Sequence, residues 1–354
     1  MPGDRTRVDR RPAVPGAPNR LQDPSPQAGT DCPAPPPGHV PSAGGGTAAR
    51  RALFPAALAT MVATYLLAVL GSTVRVTDSG MGCSGWPLCD GRIGPVDHVG
   101  ALVEQSHRYL AAAVTLGVVA VVLLAWRARA GRDVLVPALW ATGLVGVQVV
   151  LGAVTVVTGN APPTVALHLV GALLLLAAVT VTALSCRTPH DHDHPPADPR
   201  ARAGPLAWAA LAATFVLFVS GSVVVDGGAS AACPSWPACL PHVGVAIALV
   251  AIQLAHRSMA AVAVVLLGAA AVRTLAARRD MPAAAGFAWM LLALLPAQIA
   301  AGAASALLRA PPAAQDVHLA LAAAIWVGAV GLVTTRRLRR PEPGAAERLR
   351  QNTW

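Results

Sequence analysis

The strongest constraint in this sequence is an internal repeat, because uncommon residues recur about 150 positions apart along the 354-residue chain. A fixed period in sequence indicates a repeated structural unit. Each copy supplies two cysteines and two histidines at equivalent positions. The matched residues are Cys83 and Cys233, Cys89 and Cys239, Trp86 and Trp236, Pro87 and Pro237, His107 and His256, Arg108 and Arg257, Gln148 and Gln298, Gly152 and Gly302, and His168 and His318.

Composition places this repeat in a membrane. The chain is 55% hydrophobic and only 12% charged, which is outside the range of soluble proteins. A transmembrane helix needs roughly 20 apolar residues. Eight segments meet this requirement, four in each repeat, so the sequence predicts an all-α polytopic membrane protein. The segments are 53–74, 99–126, 134–157, 164–186, 205–225, 243–272, 282–308 and 313–335.

The distribution of arginines predicts the orientation in the membrane. Arginines cluster before the first predicted helix, after the last one, and in the loops after the second, fourth and sixth helices, whereas the opposite loops carry only Arg75, Arg92 and Arg309. The positive-inside rule therefore predicts a plasma-membrane protein with both termini in the cytoplasm and both cysteine loops outside it. This clustering also explains the net charge of +10, and we find no nucleic-acid-binding motif.

The even number of helices in each repeat predicts two parallel four-helix bundles, related by an axis along the membrane normal. An inverted-repeat transporter would need an odd number. The predicted domains are an N-terminal repeat over 51–187 and a C-terminal repeat over 205–336, joined by a cytoplasmic linker over 188–204. The proline- and glycine-rich residues 1–50 are predicted to form a disordered cytoplasmic tail, and residues 337–354 a basic one.

Four histidines lie within the first turns of the predicted helices that start on the outer side: His107, His168, His256 and His318. At 1.5 Å per residue their depths agree to within about 10 Å. Facing imidazoles on neighbouring helices of a bundle are a common way to bind haem iron. Zinc or copper would require a carboxylate or thiol at this depth, where only Glu104 lies. Hydrogen bonding between helices is the alternative, but four matched ionisable groups at membrane depth favour two haem sites.

Glu104 marks a chemical difference between the repeats, because the equivalent residue is Gln253. Glu104 precedes His107 by three residues and shares its helix face. Glutamine preserves the shape and the hydrogen bonding but cannot accept a proton. We infer proton-coupled chemistry at the first site, whereas the second site binds a haem and transfers electrons. The alternative is an ion pair of Glu104 with Arg108 or Arg92.

Three arginines are candidate contacts for haem propionates: Arg75, Arg108 and Arg257. A guanidinium group binds a carboxylate through paired, charge-assisted hydrogen bonds. Arg75 follows the first predicted helix, where the second repeat has Val225 instead. It is equally well placed to extend into the lipid headgroups, so the sequence leaves both interpretations open.

The cysteines of each repeat are six residues apart in a loop on the outer face, a compartment that permits disulfides. Proline in each loop allows the Cα separation of about 5.5 Å that a disulfide requires. The second disulfide is interpreted as a structural staple, and the first as either a staple or a redox-active group beside the reactive site. Cys32 and Cys186 are expected to be free thiols. The predicted disulfides are Cys83–Cys89 and Cys233–Cys239.

Taken together, these residues resemble the heme A synthase family of the Cox15/CtaA type, across about residues 53–335. The resemblance is carried by the segment Glu104-Gln105-Ser106-His107-Arg108, the two Trp-Pro cysteine loops, His256-Arg257, and the helices of His168 and His318. It implies that His107 and His168 flank the substrate, heme O. It further implies that His256 and His318 ligate a heme B cofactor and that Glu104 is the catalytic acidic residue.

The resemblance implies that a methyl group of heme O is oxidised, by successive hydroxylations, to the formyl group of heme A for terminal oxidases. Implied partners are a heme O synthase and oxidase assembly factors, with membrane lipid around the protein; the oligomeric state stays open. Iron held by two histidines lacks an open position for oxygen, which favours water as the oxygen source and Glu104 as proton acceptor. The rival function is a diheme cytochrome carrying electrons between quinone and a partner, which leaves the difference between Glu104 and Gln253 without a role.

Overall fold

In the computed structural model, the described residues are 44–91, 93–94, 96–187, 199–240, 243–279 and 281–337. Each helix they form contains a stretch long and apolar enough to cross a membrane. This confirms the prediction of an all-α protein with eight spans, and the protein is a multi-pass membrane protein. The eight helices of the described residues are α1 Gly44–Val76, α2 Val99–Arg127, α3 Arg132–Val157, α4 Pro162–Ser185, α5 Pro199–Asp226, α6 Ile247–Ala276, α7 Pro282–Leu307 and α8 Pro312–Arg337.

Helices α1, α5 and α6 start four or more residues away from the positions that the sequence predicts. Helix α1 begins at Gly44 rather than at residue 53, so the end of the tail predicted over 1–50 is helical. This extension contacts α2, because Arg50 Nε donates a hydrogen bond of 3.1 Å to the backbone carbonyl of Ala128, the residue after that helix. Helix α6 begins at Ile247 rather than at residue 243. The preceding Gly244 has a φ of 92°, a left-handed conformation that a right-handed helix does not include.

Four of the described helices begin at a proline. Pro162, Pro199, Pro282 and Pro312 begin α4, α5, α7 and α8. Proline suits a first helical position because its missing N–H has no partner within the helix there. In α5, Gly204 interrupts the helical backbone with a φ of 68°, and the segment that can span a membrane follows as Gly204–Asp226.

Several predictions fall on residues outside the described ranges. They concern the N-terminal tail up to residue 43 with Cys32, residues 188–198 of the linker, the basic tail from residue 338, and Arg92. The boundaries of the two predicted repeat domains likewise remain predictions.

The packing of the helices follows the two halves of the sequence. In the first half, α1 and α3 each contact α2 and α4; in the second, α5 and α7 each contact α6 and α8. Contacts between the halves run through α1, α4, α5 and α8. This pattern is compatible with two four-helix bundles, and the parallel relation between them stays a prediction.

An aromatic side chain, Trp326 on α8, joins the two halves in the core. Its indole N–H donates a hydrogen bond of 2.9 Å to the carbonyl oxygen of Leu173 on α4. Its ring meets Phe218 on α5 edge-on, with centroids 6.4 Å apart. The Tyr65 hydroxyl of α1 donates to the Ala320 carbonyl of α8 over 3.0 Å. Buried indole and phenol groups usually need such partners, so these contacts fix the register between the halves.

Candidate functional site

The four histidines lie at matched heights in the described helices. They are in α2, α4, α6 and α8, each within the first three turns. At a rise of 1.5 Å per residue, they lie about 9 to 14 Å from the beginnings of their helices. His107 lies near His168, and His256 lies near His318, closely enough for a charge on one imidazole to affect the other. The histidines therefore form two neighbouring pairs, and the binding of haem by these pairs stays a prediction.

Each of these imidazoles lies against a glycine of the helix that precedes its own in sequence. A Cβ atom added to the glycine would lie 2.9 to 3.5 Å from the ring, which is tighter than ordinary contact at Gly302 and Gly71 and an ordinary contact at Gly221 and Gly152. Glycine thus provides the space in which each ring lies. The four contacts are His107 with Gly71 (3.2 Å), His168 with Gly152 (3.5 Å), His256 with Gly221 (3.4 Å) and His318 with Gly302 (2.9 Å).

The sequence analysis identified Gly152 and Gly302 as part of the repeat but missed Gly71 and Gly221. The signal was present, because Gly71 and Gly221 are also 150 positions apart. A glycine inside an apolar helix is common in membrane proteins, so this match attracts no notice by itself. The role of these two glycines becomes clear only from their contacts with the imidazoles.

The hydrogen bonds of the histidines test whether the site fits a haem. The Nδ1 atoms of His168 and His318 are buried without a hydrogen-bond partner, so each imidazole has one nitrogen whose hydrogen-bonding capacity is unused. Among the described residues, no group of three or more His, Cys, Asp or Glu side chains is arranged to hold a metal ion. Paired imidazoles backed by glycine suit an iron porphyrin, whose ring already supplies four ligands to the metal.

The remaining ring contacts differ between the two halves. The Nδ1 atom of His256 lies 2.8 Å from the hydroxyl oxygen of Ser220 on α5. The Nε2 atom of His318 lies 3.4 Å from Nε2 of Gln298 on α7. In the first half, the equivalent Gln148 has a buried side-chain nitrogen without a hydrogen-bond partner.

Glu104 is buried, with 4% of its surface exposed, and both of its carboxylate oxygens accept hydrogen bonds. Arg108 donates to Oε1 over 2.5 Å, and the backbone N–H of Cys83 donates to Oε2 over 2.9 Å. The ion pair with Arg108 that the alternative interpretation predicts is therefore present. The contact with Cys83, which the sequence did not predict, connects the carboxylate to the first cysteine loop.

Gln253 does not reproduce the hydrogen bonding of Glu104, and that part of the prediction is wrong. Its side-chain nitrogen donates to the carbonyl oxygens of Ala229 and Ser230, over 2.9 and 3.2 Å. Glu104 accepts from the amide of Cys83, whereas Gln253 donates to carbonyls four and three residues before Cys233, the equivalent of Cys83. The two positions thus differ in the polarity of their contacts as well as in charge.

The two cysteine loops are closed by disulfides, with Cα separations of 4.7 Å in the first and 4.9 Å in the second. An arginine from the adjacent helix binds the carbonyl groups of each loop. These are Arg108 and Arg257, which the sequence proposed as propionate contacts; their guanidinium groups bind equivalent loop carbonyls in the structure. Arg108 donates to Gly85 (2.6 Å) and Pro87 (3.3 Å), and Arg257 to Cys233 (2.9 Å), Ser235 (2.9 Å), Pro237 (3.1 Å) and Ala238 (2.9 Å).

Arg75 forms an ion pair with Asp226, a contact that neither sequence interpretation predicted. It also donates a hydrogen bond of 3.0 Å to the backbone carbonyl of Ser222, and the Ser222 hydroxyl donates to Asp226 over 2.7 Å. The pair joins the last turn of α1 to the last turn of α5. The equivalent of Asp226 in the first half is Val76, so each half contributes one charge.

Cys186 follows α4 and is the one cysteine outside a disulfide among the described residues. Burial and the neighbouring carboxylate of Asp133 both disfavour its thiolate, and they raise the pKa of Cys186 to about 11. Because the thiolate is the reactive form, this thiol is unreactive at neutral pH.

Comparison with known proteins identifies the family of this chain. The family COX15-CtaA, described as "Cytochrome oxidase assembly protein", matches residues 96–330. This chain belongs to the COX15-CtaA family. The region that defines the match includes Glu104, all four paired histidines and the second cysteine loop, whereas the first cysteine loop and Arg75 precede it.

Individual relatives agree with the COX15-CtaA assignment. The chain is 30% identical over 252 residues to a protein named "Heme A synthase" from Geobacillus thermodenitrificans, covering 69% of this chain and 78% of that protein. It is 34% identical over 278 residues to another "Heme A synthase", from Symbiobacterium thermophilum, covering 75% and 89%. A shorter likeness, 35% over 123 residues, is to a "Protoheme IX farnesyltransferase" of Halobacterium salinarum and covers 35% of this chain and 27% of that protein.

Proposed function

We propose that this protein is a heme A synthase, which oxidises a methyl group of heme O to the formyl group of heme A for terminal oxidases. The family and the names of its relatives support this activity. The observation that carries it is an asymmetry. Both halves have paired histidines packed on glycines, but one helical turn before the first histidine of each pair the first half has a buried carboxylate, Glu104, and the second half has Gln253.

In this proposal the two histidine pairs have different ligands. His107 and His168 bind the substrate, heme O, next to Glu104. His256 and His318 hold a resident heme B, which supplies one-electron redox chemistry when bound. The assignment follows from the acidic residue, because a site that only transfers electrons has no need of a proton acceptor and Gln253 cannot serve as one.

We further propose that the new oxygen atom comes from water. Two histidine ligands leave no open iron position for dioxygen. Each hydroxylation joins a water oxygen to the carbon and releases two electrons, which an external acceptor takes, and two protons. A second hydroxylation gives a hydrated aldehyde, which loses water to become the formyl group. Glu104 accepts a proton from the water, and Arg108 and the Cys83 amide hold its carboxylate in place.

The setting of the reaction is also part of the proposal. The distribution of arginines predicts cytoplasmic termini and cysteine loops on the outer side of the plasma membrane. Heme O would come from a heme O synthase. The likeness of one segment to part of a protoheme IX farnesyltransferase is consistent with such a partner. Oxidase assembly factors would receive the product.

Chromatography of extracted haems tests the proposal. The protein is purified from cells with and without a heme O synthase, and its haems are separated and identified. We expect heme A to appear only when the synthase is present, together with heme B in both preparations. Heme B as the only haem in both preparations would support the diheme cytochrome instead. Nothing in the family match or in the contact pattern of Glu104 favours that rival.

A further inference from the structure

The hydroxyl group of Ser220 has two neighbours that define its role. It donates a hydrogen bond of 2.7 Å to the carbonyl oxygen of Leu217, one turn earlier in α5. The same oxygen lies 2.8 Å from Nδ1 of His256 on α6. A hydroxyl has a single proton to donate. Both contacts are hydrogen bonds at the same time only when the hydroxyl donates to Leu217 and its oxygen accepts from Nδ1 of His256.

This arrangement selects one tautomer of His256. Its Nδ1 atom carries the proton, and the lone pair is therefore on Nε2, the nitrogen left free to bind a metal. A hydrogen bond from the second nitrogen of a metal-bound imidazole fixes the orientation of the ring and makes it a stronger donor to the metal. Ser220 therefore prepares His256 as a ligand.

The first half has no such group. The residue equivalent to Ser220 is Leu70, whose side chain cannot form a hydrogen bond. Both residues directly precede the glycine that packs on the imidazole, Gly71 in the first half and Gly221 in the second. Gly71 faces the Nε2 edge of His107 and Gly221 faces the Cε1 edge of His256, and of these two rings it is His256 that has a serine hydroxyl beside it.

We infer that Ser220 is a positioning residue that makes the second haem site retentive, and that Leu70 leaves the first site able to exchange its haem. The inference rests on the proposed function, in which heme B stays bound while heme O enters and heme A leaves. Retention and exchange are opposite requirements on otherwise similar histidine pairs. The hydrogen bond between His256 and Ser220 distinguishes the two pairs without changing the ligands.

Haem transfer to excess apomyoglobin, followed by the change in the Soret band, measures the release rates directly. The variants are Ser220→Ala, Ser220→Thr and Leu70→Ser. Ser222→Ala is the matched control, because the Ser222 hydroxyl is on the same helix but donates to Asp226. Partners of metal-bound histidines typically change metal affinity by about 10- to 100-fold. We expect Ser220→Ala to release heme B at least about tenfold faster, and Ser222→Ala to release it at the wild-type rate.

Two further readouts separate this role from a general loss of packing. Without the hydrogen bond the imidazole is a weaker donor, so the midpoint potential of the heme B in Ser220→Ala should become more positive. Ser220→Thr keeps a hydroxyl and should restore both the potential and the release rate. Leu70→Ser should slow release from the first site.

The outcomes distinguish this inference from the proposed function. If wild-type protein contains two haems and makes heme A, but Ser220→Ala keeps the wild-type release rate and potential, the inference is wrong and the function stands. If Ser220→Thr releases heme B as fast as Ser220→Ala, the hydroxyl is not responsible and the inference is again wrong. If the wild type never makes heme A, the proposed function fails, whatever the effect of Ser220 on heme B.

Discussion

The Oε2 atom of Glu104 accepts a hydrogen bond of 2.9 Å from the backbone N–H of Cys83. The carboxylate on α2 is thereby held by a loop that a disulfide closes six residues further on, at Cys89. Arg108 binds the same carboxylate and also the carbonyl of Gly85 within this loop. The loop, the arginine and the carboxylate form one connected unit, so a change in any of them should affect the chemistry assigned to Glu104.

Replacing Glu104 by glutamine should stop heme A formation while leaving haem bound. Glutamine cannot accept a proton, and a positioned acid or base typically contributes about 10²- to 10⁴-fold to a rate. Heme A per protein, measured by chromatography of extracted haems, should fall by about that factor, with the Soret band retained. The mirror variant, Gln253→Glu, is the control and should continue to make heme A. Wild-type production of heme A by Glu104→Gln would exclude a role in proton transfer.

Removing the first disulfide should affect catalysis more than removing the second. In Cys83→Ser/Cys89→Ser the loop loses its closure, and the Cys83 amide no longer holds the Glu104 carboxylate in a fixed position. In the second half the equivalent residue is Gln253, so no catalytic carboxylate depends on the second loop. We expect the first double variant to make less heme A per bound haem, and Cys233→Ser/Cys239→Ser to keep the ratio of the wild type. Equal ratios in both double variants would count against the coupling of the first loop to Glu104.

Alanine at the four glycines should lower haem affinity in the order of the contacts. Adding a methyl group to a packed site costs about 1–3 kcal/mol. Gly302→Ala, with a Cβ 2.9 Å from His318, should therefore lose roughly 5- to 160-fold in affinity, and Gly152→Ala, at the ordinary contact distance of 3.5 Å, should lose least. Gly286→Ala on α7 and Gly146→Ala on α3 are matched controls, because their added Cβ atoms meet nothing within 4 Å. The Soret absorbance per protein is the measurement, and an equal loss in a control variant would refute the explanation.

The ion pair between Arg75 and Asp226 should stabilise the contact between the two halves. Their side chains are 18% and 13% exposed, so solvent screens the pair only in part. Arg75→Ala, Asp226→Ala and the double variant form a cycle, for which contacting residues typically give a coupling energy of about 0.5–3 kcal/mol. Thermal unfolding in detergent should show that each single variant is destabilised and that the double variant is less so than the sum. Additive effects would mean that the pair contributes nothing to stability.

The lengths of the apolar segments allowed the sequence to predict the helices, and the repeat singled out the four histidines and both cysteine pairs, because each of these occurs twice at a nearly constant separation. It could not predict the pair of Arg75 and Asp226. Repeat logic compares equivalent positions, whereas Arg75 is equivalent to Val225 and Asp226 to Val76. A contact between non-equivalent residues of the two halves depends on how the halves pack, which the sequence pattern does not specify.

The surroundings of Glu104 show the same limit at shorter range. Its ion-pair partner Arg108 lies four residues further along the same helix, a spacing at which side chains are expected to meet. Its contact with the Cys83 amide spans 21 residues and depends on the conformation of the loop. The opposite contacts of Gln253 arise for the same reason. Glutamine resembles glutamate in shape, but the backbone group that each side chain meets depends on the conformation of its loop.

The central claim is that one histidine pair binds the haem that is converted and the other binds the haem that is retained. It is tested most directly by the haem content of His168→Ala and His318→Ala, each purified from cells that contain a heme O synthase and compared with wild type by extraction and chromatography. We predict that His168→Ala keeps heme B but loses heme O and heme A, and that His318→Ala loses heme B. Wild-type haem content in both variants would contradict the account.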